Sequence, residues 1–299
     1  MKRFLGVLAV VAMLLGAAVP GAQAFSLGGY QGPVLFHFSG VESSAVYGGA
    51  CAGVAACDAA QTAPGTFIPG GTAGPAAALA GEDGWGIFFV STITKPDLTV
   101  LWTDGTAGEH LTGIFYNVQD FLVTFPIGVV QHTRSTGVGG GGFNIDVYLD
   151  SAATPGAGLP TLRGGGGTTY PGYTEGALFL SLLSVPGADA LVPAAHLAGD
   201  FNLATAAGSS QAFADVTGGS YMLNIVPGTI ATNIGTFADF GFTFDIKPAA
   251  NPNVTPGASP WTAQFNDPAV TTVPEPTSLL LLGAALAGLA GVGYARRKN

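Results

Sequence analysis

Two seven-residue stretches alternate apolar and mostly polar or small side chains with a period of two. Phe143-Asn144-Ile145-Asp146-Val147-Tyr148-Leu149 puts Phe143, Ile145, Val147 and Leu149 on one face, and Phe240-Gly241-Phe242-Thr243-Phe244-Asp245-Ile246 does the same with its phenylalanines and Ile246. Successive strand side chains point to opposite faces, so this pattern makes half-buried strands and leaves a helix without a coherent apolar stripe. Tyr221, Leu223 and Ile225 repeat the pattern on a shorter scale. Around these, Pro33–Phe38, Ile87–Ile93, Leu98–Trp102, Leu111–Val118 and Phe121–Val130 are strand candidates rich in β-branched and aromatic residues. Lys95-Pro96-Asp97 reads as a turn and Asp104-Gly105 as a hairpin turn, while Pro126 suggests an edge or bulge. Ala177–Leu183 fits a buried strand or a short helix, and only Ala194–Ala198 and Leu203–Ala207 hint at helical turns. The expected body is all-β and antiparallel, a two-sheet β-sandwich or jelly-roll-like arrangement.

The two ends follow a different logic. Lys2 and Arg3 precede an apolar core from Phe4 to Val19, and Ala22-Gln23-Ala24 places small residues where signal peptidase reads them, so residues 1–24 are expected to be a signal peptide removed after Ala24. At the other end, Val273-Pro274-Glu275-Pro276 precedes an uncharged run, Thr277–Tyr294, and then Ala295-Arg296-Arg297-Lys298-Asn299. The run's 18 residues make about 27 Å of helix, close to the ~30 Å hydrocarbon core of a bilayer. The basic cluster Arg296, Arg297 and Lys298 then predicts a cytoplasmic C-terminus for a transmembrane helix. Each proline of Pro-Glu-Pro fixes its own φ and extends the residue before it, giving a stiff handle that a processing enzyme can bind at low ordering cost.

Pro-Glu-Pro, an apolar span and an Arg-rich tail in this order resemble the PEP-CTERM sorting signal of Gram-negative bacteria. The resemblance covers residues 273–299 and implies recognition of Pro274, Glu275 and Pro276 by exosortase, a transpeptidase-like enzyme of the inner membrane. It implies export through that membrane, transient anchoring, cleavage near Pro-Glu-Pro and delivery to the cell surface, in the setting of exopolysaccharide, biofilm or floc. The chain then divides into a signal peptide (1–24), an exported all-β domain (25–246), a Pro-rich spacer (247–272) and the sorting signal (273–299).

Charge narrows the partners. Of nine basic residues, five lie in the end segments, leaving Lys95, Arg134, Arg163 and Lys247 in the body against all the acidic residues except Glu275. So acidic a surface repels phosphate backbones and argues against nucleic acid. Cys51 and Cys57, the only cysteines, are expected to form a small-loop disulfide in an oxidising compartment.

No catalytic signature accompanies this. Gly137-Val138-Gly139-Gly140-Gly141-Gly142 matches G-x-G-x-x-G, but a strand pattern follows it where a dinucleotide site needs a helix. His37, His110, His132 and His196 show no metal-ligand spacing, although Glu109-His110 could join a distant ligand. Asp83, Asp104, Asp146, Asp150 and Asp245 offer oxygen ligands without an EF-hand loop, so no cofactor is expected, with calcium at a sheet edge the remaining option. Asn253-Val254-Thr255 is a glycosylation sequon by pattern. Tyr47, Trp85, Tyr170 and Tyr173 could stack on sugars from loops, though scattered loop aromatics are the plainer reading. The expectation is a non-enzymatic, structural or adhesive surface protein, with a carbohydrate-binding module or a secreted hydrolase as alternatives.

Overall fold

The computed structural model describes residues 27–44, 46–47, 71–72, 81–124, 130–151, 163, 165–202, 205, 207–248 and 263–274. Its strands are β1 (Gly32–Ser44), β2 (Val46–Tyr47), β3 (Gly71–Thr72), β4 (Gly84–Thr94), β5 (Val100–Thr103), β6 (His110–Thr124), β7 (Val130–Gly137) and β8 (Asn144–Asp150). They continue with β9 (Ala177–Val185), β10 (Leu197–Asn202), β11 (Ala207–Gly218), β12 (Ile230–Ala231), β13 (Phe237–Ala238), β14 (Phe240–Pro248) and β15 (Ala263–Val273). Every pairing is antiparallel. The all-β, antiparallel expectation therefore holds.

The sheet closes on itself. β15 pairs with β1, β1 with β4 and β4 with β6, while β6 continues through β8, β9, β11 and β14 back to β15. β7 and β8 lie end to end along β6: Val118 faces Gly137 and Tyr116 faces Asn144. β9 and β10 similarly share β11, pairing with its residues 213–218 and 207–212. The result is an eight-stave up-and-down barrel in which strands adjacent in sequence are adjacent in space. It departs from two separate facing sheets because β4–β6 and β1–β15 both pair, which removes the free edges a sandwich would keep.

Inward positions are those the period-two pattern marked. Ile145 and Val147 of β8 and Phe240 and Phe242 of β14 are buried in one core with Phe36, Phe38, Phe88 and Phe265. Phe240, Phe242 and Phe244 stack down β14 with ring centroids 5.9 Å apart. Phe38 meets Phe88, Phe242, Phe244 and Phe265 at 5.5–6.3 Å. Two of these rings, and Phe115 packed against them, lie over glycines directly opposite: Phe115 over Gly86, Phe88 over Gly113 and Phe265 over Gly40. A Cβ at any of the three would overlap the ring, so glycine here makes room for an aromatic and lets the wall curl.

Other readings change. Ala263–Thr272, placed in the spacer, together with Val273 of the sorting signal, is the strand that closes the barrel; five prolines in residues 247–273 hid it. Pro268 is accommodated where the β14–β15 ladder skips from Phe242–Ala269 to Asp245–Asn266, so its missing N–H breaks no bond to β14. Leu197–Asn202 and Ala207–Gly218 are strands, so the helical hints at 194–198 and 203–207 fail in their described parts. Tyr221–Ile225 is a turn with a short 3₁₀ segment, Met222–Asn224, because Asn224 N–H donates to Tyr221 O and Val226 N–H to Thr272 O. The 1–24 segment with its Ala24 cleavage point, Cys51 and Cys57, Asn253, and the apolar run expected to span the membrane with Arg296, Arg297 and Lys298 lie outside the described residues.

Candidate functional site

The outer wall of β4, β6 and β8 is apolar and covered. Trp85, Ile87 and Ile114 are buried with Tyr170 and Tyr173, which come from the loop between β8 and β9. Trp85 and Tyr170 are 5.7 Å apart, and Tyr170 and Tyr173 are 6.0 Å apart. Arg163 pins this loop. Its guanidinium stacks 4.2 Å over Trp85, pairs in bidentate fashion with Glu82 and donates to Gly167 O. These rings are therefore packing groups, and the sugar-stacking option fails for Trp85, Tyr170 and Tyr173. Tyr47 lies in β2, and its side chain is outside the described set.

A second buried polar group sits where β4 begins. Asp83 Oδ2 accepts the Asp120 N–H at 2.9 Å, and Asp120 Oδ1 accepts the Ser135 hydroxyl at 2.6 Å. Burial and, next, the neighbouring Asp120 charge push the Asp83 carboxyl up to about 7. Arg134 forms a third group outside β7, bonding Asp189 at 2.5 Å and Asp200 at 2.9 Å. Ser184 and His196 touch at 3.1 Å, but the serine oxygen also accepts the Phe143 N–H and both residues are buried. Burial lowers the His196 pKa. The contact is structural, since nothing reaches the hydroxyl from outside.

The carboxylates considered for calcium are scattered. Asp104 pairs with His110 at 2.9 Å, and Asp146 accepts from Tyr116 and Ser181. Among the described residues no group of three or more His, Cys, Asp or Glu side chains could hold a metal ion.

Two hollows remain. The barrel interior holds a cavity of about 60 Å³ lined by Phe38, Phe88, Phe115, Phe242, Phe244 and Phe265, among others. That is smaller than the ~150 Å³ cavity that admits benzene and far below the ~300 Å³ of ordinary ligand pockets, so the lumen is a packed core. A groove of about 340 Å³ crosses the outside of β14, β15, β1 and β4, lined by Ser39, Phe89, Tyr173, Lys247, Gln264 and Asn266.

The C-terminal exit is built into the barrel. Gly32 pairs with Val273, the Thr271 hydroxyl donates to Asp239 O at 2.7 Å, and Thr272 O accepts the Val226 N–H at 2.8 Å. Pro274, half-buried, is the first residue off the wall, and Glu275 and Pro276 follow outside the described residues. Residues 272–298 match the family model described as the PEP-CTERM protein-sorting motif. The chain is a PEP-CTERM domain-containing protein. The motif marks a secreted, surface-sorted protein processed by exosortase. Its first two residues, Thr272 and Val273, belong to β15, so in this PEP-CTERM protein the sorting signal starts inside the closing strand. Neither a curated protein nor a solved structure matches the chain.

Proposed function

We propose that the barrel is cargo: a non-enzymatic surface protein that serves as a structural or adhesive component of extracellular polymer, biofilm or floc. In this reading signal peptidase removes residues 1–24, Thr277–Tyr294 holds the chain in the inner membrane of a Gram-negative cell, and exosortase acts near Pro274, Glu275 and Pro276. The observation that supports it is the position of Pro-Glu-Pro immediately beyond β15. A cut there leaves every stave of the barrel paired and releases a body with no free sheet edge between β1 and β15. The test is deletion of residues 274–299 in the producing cell, followed by fractionation and immunodetection of the body. Loss of surface delivery is expected; unchanged surface retention refutes the sorting role of the motif.

The outer groove favours a second reading, binding of extracellular polysaccharide. Gln264, Asn266 and Ser39 offer amide and hydroxyl partners for sugar hydroxyls, Phe89 a flat apolar surface and Lys247 a positive charge. Binding of the released body to a glycan array, lost in Asn266→Ala with Lys247→Ala, would establish it, and binding unaffected by that pair would remove it.

A further inference from the structure

The barrel's base is closed by its own chain. Beyond β11, residues 219–226 run from β9 to β15, anchored by Tyr221 N–H to Phe179 O at 2.9 Å and Val226 N–H to Thr272 O at 2.8 Å. Tyr221 and Ile225 turn inward into the core, Tyr221 stacking on Phe179 at 4.5 Å. Met222 and Leu223 turn outward and are 41% and 81% exposed.

The β4–β5 turn adds Leu98 and Val100 at the same end, 66% and 56% exposed. Lys95 of that turn lies 5.0 Å over Tyr30, just before β1. Leu98 has φ 66°, a left-handed conformation that glycine or asparagine adopts more easily. The turn thus holds a large apolar side chain in water where a small polar one would sit with less strain.

This is also the end from which Pro274 leaves. Three residues, 274–276, separate Val273 from the apolar run that starts at Thr277. At ~3.3–3.6 Å per residue that link spans at most about 14 Å. Resting on the reading that Thr277–Tyr294 inserts into a bilayer, we propose that the base of the barrel docks on the lipid surface. Leu98, Val100, Met222 and Leu223 seat in the interface, and the opposite end faces away. β1 is 13 residues long, so with ordinary barrel tilt that end stands roughly 30 Å from the membrane.

Single exposed apolar residues mean little. Here they share the tethered end, where a short link holds them at millimolar or higher effective concentration against lipid. Charge does not drive the contact, because Asp97, Asp150 and Glu175 share this end with Lys95. Docking is therefore expected on neutral lipid and insensitive to salt.

The test uses residues 25–299 in phosphatidylcholine nanodiscs, with hydrogen exchange compared against residues 25–273. Co-elution with the disc reports insertion, and exchange reports docking. Expected are slower exchange at 95–100 and 219–226, no change at 207–211, and loss of the slowing in Leu98→Asn with Leu223→Ser while the chain still co-elutes. Co-elution with unchanged exchange at 95–100 and 219–226 overturns docking and leaves insertion standing. Slowing that persists in the double variant assigns the contact to the tether alone and also overturns it. Failure to co-elute removes the membrane reading, and docking with it.

Discussion

Asp83→Asn should change how stability depends on pH, in a direction the buried acid cluster fixes. The Asp83 carboxyl titrates near 3.8 in an unfolded chain and near 7 in the barrel, raised first by burial and then by Asp120, with the Asp120 N–H pulling the other way. Below pH 4 both states hold the proton and the residue costs nothing. Between pH 4 and 7 the unfolded chain releases the proton while the barrel keeps it, so stability is lost steadily. Above 7 the full penalty applies, about 4 kcal/mol at 1.36 kcal/mol per pH unit. Solvent near the strand ends screens part of this, so roughly 2 kcal/mol is the expected observable. Asparagine keeps an oxygen for the Asp120 N–H and carries no charge. The stability difference between Asp83→Asn and the parent should therefore grow in the variant's favour by about 2 kcal/mol from pH 4 to pH 8.5. Urea unfolding of residues 25–273 at four pH values measures it, and taking the difference cancels the other carboxylates. A difference independent of pH would refute the assignment of a raised Asp83.

Glu82→Gln leaves the Arg163 guanidinium buried beneath the Tyr170 loop without its carboxylate. It should cost about 3–5 kcal/mol and speed hydrogen exchange across 165–176, whereas replacing Glu82 and Arg163 together by methionine should recover much of the loss. Gly86→Val drives a side chain into Phe115 and the Val41 carbonyl, so soluble folded yield should collapse, while Gly139→Ala, facing open space, should cost only the strain of its positive φ; circular dichroism melts separate the two. A chain ending at Val273 should melt within a few degrees of the longest soluble form. One ending at residue 262 lacks β15 and exposes the edges of both β1 and β14, so it should not give a cooperative transition.

What the sequence made legible follows from which faces meet water. β8 and β14 have a core face and an outer face carrying Asn144, Asp146, Thr243 or Asp245, so the alternation shows. β4 has no such contrast: Trp85 and Ile87 point outward yet are buried under a loop about eighty residues later in the chain, and Trp85–Val90 reads as one apolar run. The same covering misled the aromatic reading, because loop position alone put Trp85, Tyr170 and Tyr173 in solvent. β15 was hidden by proline content, and only a break in the β14 ladder makes Pro268 tolerable, which is a property of the partner strand rather than of the segment. Ring closure was equally out of reach, since a meander of antiparallel strands reads alike as an open sheet, a sandwich or a barrel until the first and last strands are seen to pair. That pairing is what joins the body to its sorting signal. Because β15 must lie between β1 and β14, the exit at Pro274 is fixed beside Gly32. Leu27–Gly32 and Pro274 therefore lie at one end of the barrel, and pulling the chain further at Pro274 would unzip the strand that closes it.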